Sequence, residues 1–399
     1  MIYRTIPHFI IKKNLQKSKE TGIYFSDIIT KDILEEICFK ITNQKIFTCD
    51  YVDNNYKDEF LEKTYNKGRM ALLLYEDVVN YISFSEVEIN GRNSSVQSVP
   101  TAFNIFYLNS YPKKKLFYYF LNKKGNAETE YQILIYRLMI TIGFKFLNIP
   151  KTLINRIVPF NSIDDLIFNR KINTSKNKSN NSTFITKNDK SEIEIYGKTY
   201  GANKYETSLL CYTLSTLCHP TQKIILYEIL EGNLKELPAS SINVIKKMNT
   251  IEINPIDMKL ERKIYNNEIN LRSPNYLLNL FKKLGDKQCV LCNCKIPELI
   301  QGAHIFPISE IKKIKNITIE KKLEYALDGE NGLWLCENHH KLFDRGIISF
   351  ELDGKVKYKS DLDYHHKEFL EEITKIDALP KKILTNQFLW YLKQRESNF

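Results

Sequence analysis

Apolar and polar positions along this chain follow two rhythms, and the switches between them mark its elements. "RMALLLYEDVVNYISFSEVEI" (69–89) and "TAFNIFYLNSY" (101–111) are rich in β-branched and aromatic residues and predict strands. "TKDILEEICFKITN" (30–43) and "TEYQILIYRLMITIGFKFL" (129–147) carry apolar residues at helical spacing. Farther on, "SEIEIYGKTYGANKYETSLLCYTLSTL" (191–217) and "KIILYEILEG" (223–232) predict strand, glycine-containing turn, helix and strand. The last runs, "YHHKEFLEEITKI" and "LTNQFLWYLKQRESNF", have helical spacing and should pack back on the preceding domain.

The rhythm lapses in "NRKINTSKNKSNNSTFITKNDK", where Asn, Ser and Lys replace periodic apolar residues. A linker or long exposed loop is therefore expected over 169–190, between an N-terminal α/β region (1–168) and a middle α/β region (191–280). A second boundary near "YNNEINLRSPNY" opens a C-terminal domain over 281–399. With 399 residues, two or three domains are expected, and no internal repeat is visible.

Charge narrows the partner. Lys and Arg outnumber Asp and Glu by 58 to 47, and the net +11 favours a polyanion, nucleic acid ahead of an anionic membrane. The N-terminus lacks an apolar run long enough for a signal peptide, and no stretch of about 18 apolar residues occurs. A cytoplasmic protein is expected, with no membrane partner and with reduced thiols. The Lys-, Asn- and Ile-rich composition suggests an AT-rich bacterial genome. Cys38, Cys49, Cys211 and Cys218 are scattered among apolar neighbours and read as buried hydrophobes.

The other four of the eight cysteines are clustered. Cys289 and Cys292 form a C-x2-C pair, and Cys336 with His339 forms a C-x2-H pair. Two such half-sites suit tetrahedral zinc, closed to substrate and hence structural. Cys294 competes with Cys292 for a place in it. His340 adjoins His339, and neighbours on a helix point about 100° apart, so the two rings serve different tasks. Asp344 lies one turn beyond His340, and the two together suit a hard divalent ion such as Mg2+ or Mn2+. Alternatively, Asp344 is a surface residue at a helix end ahead of Gly346.

"GAHIFP", "NGLWLCENHHKLFDRG" and the strand pair around "ISFELDGKVKYKS" resemble the HNH, or ββα-metal, endonucleases. The closer likeness is to the branch whose motifs read A-H-I-x-P and N-G-L-x-L…H-x-x-x-F-D-x-G. It covers about 285–399 and leaves 1–280 untouched. The resemblance implies a zinc-stapled C-terminal ββα-metal domain, and with the elements read upstream the expected fold is an α+β multidomain protein whose mixed α/β N-terminal region recognises DNA. The resemblance also implies roles: His304 as the general base, Asn331 as the group orienting the His304 ring, and His340 with Asp344 as ligands of one catalytic divalent ion. Many relatives carry Asp or His just before the base, where this chain has Ala303. Fewer protein ligands, a ligand from elsewhere, or His304 itself as a ligand would each accommodate that change. Arg345 is placed to touch a phosphate or is simply an exposed helix-end arginine.

A bare ββα-metal module has little sequence preference, so specificity is expected upstream. "YGKTYGANKYETS" groups Lys198, Tyr200, Asn203 and Lys204 around two glycines, as a DNA-reading loop or an ordinary connection. Glu192, Glu194 and Glu206 lack the spacing of a second nuclease core. The expected activity is type II restriction-like cleavage of double-stranded DNA, with the enzyme dimerising on DNA to cut both strands. The alternative is a modification-dependent or signal-activated defence nuclease of the same family. A zinc-stabilised DNA-binding protein without catalysis would not require His304, Asn331, His340 and Asp344.

Overall fold

A computed structural model describes residues 6–13, 30–53, 70–84, 100, 103–104, 107, 114–121, 130–172, 183–198, 203–230, 237, 239–248, 251–267 and 273–396. The architecture is mixed α/β. The chain divides into two compact units interleaved in sequence: Met1–Asn169, Gly201–Thr221 and Leu237–Ile251 form the first, and Arg170–Tyr200, Gln222–Glu236 and Glu252–Phe399 the second.

The first unit contains β1 (His8–Lys13), α1 (Lys31–Thr42), β2 (Thr48–Asp53), β3 (Met70–Tyr75), β4 (Val78–Phe84), β5 (Lys114–Phe120), α2 (Glu130–Thr141), β6 (Lys145–Leu147) and most of α3 (Ile163–Ile172). Its strands form one sheet in the order β2-β1-β3-β4-β5-β6. Thr30 caps α1 by accepting from the Ile33 amide, and Asn43 ends it in the left-handed region at φ 54°. Leu34, Ile37 and Cys38 of α1 pack against Phe9, Ile11, Leu73 and Ile82 of the sheet. Phe103, Asn104 and Tyr107, expected in a strand, are helical instead. Phe103 and Tyr107 lie four apart, so a helix puts their rings on one face, 4.7 Å between centroids.

Two further helices, α4 (Asn203–Leu217) and α5 (Ala239–Met248), also fall in the first unit. Buried Cys38, Cys211 and Cys218 fit the apolar reading, and Cys49 is half-buried.

The second unit opens with β7 (Thr183–Lys187), β8 (Ile193–Lys198), β9 (Ile224–Ile229) and β10 (Ile251–Ile256), ordered β10-β9-β8-β7 in one sheet. Thus the stretch 169–190 ends α3 at one side and forms β7 at the other, with Thr183, Phe184, Ile185 and Thr186 buried. Of the expected linker, residues 173–182 lie outside the described residues.

Helices α6 (Met258–Asn267) and α7 (Pro274–Leu284) follow, and α7 runs across the expected boundary at residue 281. Ser273 caps α7 by accepting from the Asn275 and Tyr276 amides, Pro274 occupies its first turn, and Gly285 ends it at φ 79°. Phe281 stacks on Phe184 of the sheet at 5.0 Å and also meets Trp334 at 5.0 Å. One core therefore runs from the sheet through α7 into the C-terminal elements.

Those elements are β11 (Ile300–His304), α8 (Ile308–Lys313), α9 (Ile319–Leu327), β12 (Gly332–Cys336), α10 (Glu337–Asp344), β13 (Ile348–Phe350), β14 (Val356–Tyr358), α11 (Tyr364–Ile373) and α12 (Asn386–Glu396). The antiparallel pair β11–β12 followed by α10 makes a ββα unit, with α8 and α9 inside its hairpin.

Candidate active site and metal centre

The β11–β12 register sets Ile300 opposite Cys336 and His304 opposite Gly332, so the strand pair carries one candidate metal ligand and the candidate base at its two ends. Helix α7 crosses this pair at close range. A Cβ at Gly302 would lie 2.6 Å from Leu280, and one at Gly332 would collide with the Tyr276 hydroxyl. Only glycine permits that approach.

Cys289, Cys292, Cys336 and His339 converge, with their ligand atoms all within 4.8 Å of one another. Cys292 Sγ lies 3.9 Å from Cys336 Sγ, and His339 Nδ1 lies 3.4 Å from Cys289 Sγ and 3.2 Å from Cys336 Sγ. Tetrahedral zinc with sulfur at about 2.3 Å and nitrogen at about 2.0 Å requires S···S edges of about 3.8 Å and S···N edges of about 3.6 Å. The four residues fit zinc. His339 Nε2 meets Thr374 Oγ1 at 3.2 Å, which orients the ring with Nδ1 toward the sulfurs. The bond with Cys289 holds the Cys336 thiol far below its ordinary value, and the same bond raises Cys289. Cys294 is not in the cluster; its carbonyl accepts from the Cys289 amide at 3.0 Å.

His304 ends β11. Its Nε2 lies 2.9 Å from the Ala326 carbonyl, which can only accept, so the neutral ring carries its proton on Nε2 and keeps a lone pair on Nδ1. Burial pushes its pKa down to about 4, against the Ala326 bond and with help from His340. Neutral imidazole is the form a base needs. Tyr276 stacks on the ring, 3.9 Å between centroids and 13° between planes, and donates to the Ala303 carbonyl at 3.1 Å.

Asn331 is fully buried, and its side-chain contacts are with backbone. Its Oδ1 accepts from the Phe306 amide at 2.7 Å, and its Nδ2 donates to the Phe306 and Tyr325 carbonyls at 3.0 and 3.1 Å. It therefore fixes the chain leaving β11, and its carbonyl accepts from the Ile305 amide, next to His304, at 3.1 Å.

His340 and Asp344 lie on one face of α10, with Nε2 3.4 Å from Oδ2. His340 Nδ1 lies 3.1 Å from Gln301 Oε1 on β11. Gln301 Oε1 and Asp344 Oδ2 thus flank the two ring nitrogens of His340. A divalent cation could bind there. Among the described residues, three or more protein ligands converge only in the cysteine–histidine cluster. Ala303 is buried, and the side chain from β11 that reaches His340 is Gln301.

Lys198 ends β8, Tyr200 lies outside the described residues, and Asn203 begins α4. Lys204 is half-buried, its Nζ 5.2 Å from the Tyr205 ring. The division between the two units falls within this motif, after Tyr200. Arg345 is exposed at the C-terminal cap of α10, next to Asp344. No helix among the described residues is long and apolar enough to cross a membrane.

Tyr276, Gln301, Thr374 and the Ala326 carbonyl carry no motif of their own. Only the Ser-Pro cap preceding Tyr276 marks a helix there. No curated protein matches the chain. The family model described as HNH endonuclease matches residues 289–351, the segment that holds the ββα unit and all four zinc-compatible residues. This part of the chain is an HNH endonuclease domain, which points to a nuclease acting on DNA.

Proposed function

We propose that the protein is a type II restriction-like endonuclease that hydrolyses phosphodiester bonds of double-stranded DNA. The observation that carries this reading is the placement of two histidines on the ββα unit, His304 with its Nε2 on the Ala326 carbonyl and His340 with its Nε2 3.4 Å from Asp344 Oδ2. The former suits proton abstraction and the latter metal ligation.

In this mechanism His304 Nδ1 removes a proton from water as the oxygen attacks phosphorus, and the 3′-oxygen departs. Asn331 keeps the β11 exit in place, and Tyr276 limits rotation of the imidazole. Mg2+ or Mn2+ bound by His340 and Asp344 would polarise the phosphate and stabilise charge on the departing oxygen. Arg345 would contact the DNA backbone. The Cys3His cluster would hold structural zinc, with no ligand position for substrate.

Sequence preference would come from upstream of residue 281, with Lys198, Tyr200, Asn203 and Lys204 as DNA-contacting residues. Cutting both strands with one site per chain would require two chains on DNA, in a bacterial cytoplasm.

Purified protein incubated with unmodified phage DNA and Mg2+ or Mn2+ tests the restriction role. Discrete bands are expected. A smear would remove sequence specificity, and cutting confined to methylated DNA would favour a modification-dependent nuclease.

A further inference from the structure

We propose that Arg395 is a positioning residue that sets the distance between the base-bearing strand and the metal-ligand helix; this rests on the nuclease reading above. Arg395 lies in the last turn of α12, outside the matched family segment, and is 5% exposed. Its Nη1 donates to the Ile305 carbonyl at 3.1 Å, and its Nη2 to the Phe343 carbonyl at 2.5 Å. Ile305 follows His304, and Phe343 precedes Asp344. One rigid guanidinium therefore ties the backbone beside the base to the backbone beside the metal ligand.

The side chain is itself fixed. Its guanidinium carbon sits 3.9 Å from the centroid of the fully buried Phe343 ring. Burial pushes its pKa down to about 10, with the Asp344 charge opposing that shift, so it stays cationic at neutral pH. Burying a guanidinium carries a desolvation cost that an apolar side chain avoids, so filling space does not require an arginine here. Bridging two carbonyls with planar, fixed donors does. Lysine has one nitrogen on a flexible stem and cannot reproduce that fork.

Single-turnover cleavage by zinc-loaded full-length protein, and Mn2+ binding followed by electron paramagnetic resonance, compare wild type with R395K and R395Q. In R395Q the rate at saturating DNA should fall by roughly tenfold to a hundredfold, because reacting groups displaced by about 1 Å lose that much. KM for DNA should stay unchanged, and Mn2+ should bind about tenfold more weakly. R395K should fall between the two, and it carries the comparison if R395Q does not fold. Variants that keep the wild-type rate per active site and the wild-type Mn2+ affinity, with only a lower Tm, would overturn the proposal. If wild type cuts no DNA, the nuclease reading fails. Mn2+ binding then still decides on Arg395: equal affinities reject its role, and weaker binding in the variants supports it.

Discussion

Tyr276 covers one face of His304, with ring centroids 3.9 Å apart, and its hydroxyl donates to the carbonyl of Ala303, the residue before that histidine. A helix preceding the family segment thus supplies the surface against which the candidate base rests. Y276F keeps the stacked face and loses the hydroxyl, so it should cost about 1 kcal/mol of stability and leave most cleavage intact. Y276A should cost about 3–5 kcal/mol and reduce cleavage steeply in the folded fraction. Denaturant unfolding beside cleavage rates checks both. A folded Y276A that cuts as fast as wild type would separate Tyr276 from His304.

The Cys3His cluster should hold one zinc per chain. C289S, C336S and H339A should each lower the zinc content and the Tm, whereas C294S should leave zinc unchanged, since Cys294 stands outside the cluster. Elemental analysis of the purified variants reads this directly. Loss of zinc in C294S with retention in C292S would exchange the two cysteines.

Gln301 faces His340 Nδ1 at 3.1 Å, so Q301L should weaken divalent-ion binding about tenfold without changing zinc content. Q301E, which keeps an acceptor, should bind close to wild type. Titration calorimetry with Mn2+ distinguishes them, and identical affinities for Q301L and wild type would count against the His340 site.

Burial raises the pKa of Glu261 above the ordinary carboxylate range, although the Ser273 hydroxyl, which donates to it at 2.5 Å, opposes the shift. The folded value exceeds the unfolded one, so folding favours the protonated carboxyl. Its contribution is fully present below the unfolded value and is lost as pH rises through the folded one. E261Q should therefore raise Tm at pH 7, with a gain that shrinks toward pH 4. Melting curves across that range test it, and a pH-independent difference would contradict it.

What could be read from the chain alone was local. C-x2-C and C-x2-H are single-turn patterns, and the His340–Asp344 pair is one helical turn, so each half of each site announces itself. The groups that hold His304 are distant or featureless: Ala326 acts through its backbone, and Tyr276 lies 27 residues before Ala303. The five residues of β7 follow an Asn- and Ser-rich tract that obscures them. Phe103 and Tyr107 have strand-like composition, yet Phe103 packs 4.7 Å from Tyr212, and the helix that permits this prevails over propensity.

Cleavage of DNA by wild type and by H304A, each zinc-loaded and supplied with Mg2+ or Mn2+, tests the central claim most directly. Wild type should cut, and H304A should fold and bind DNA while losing the cut. Equal cleavage by H304A would contradict the role of His304 as the base.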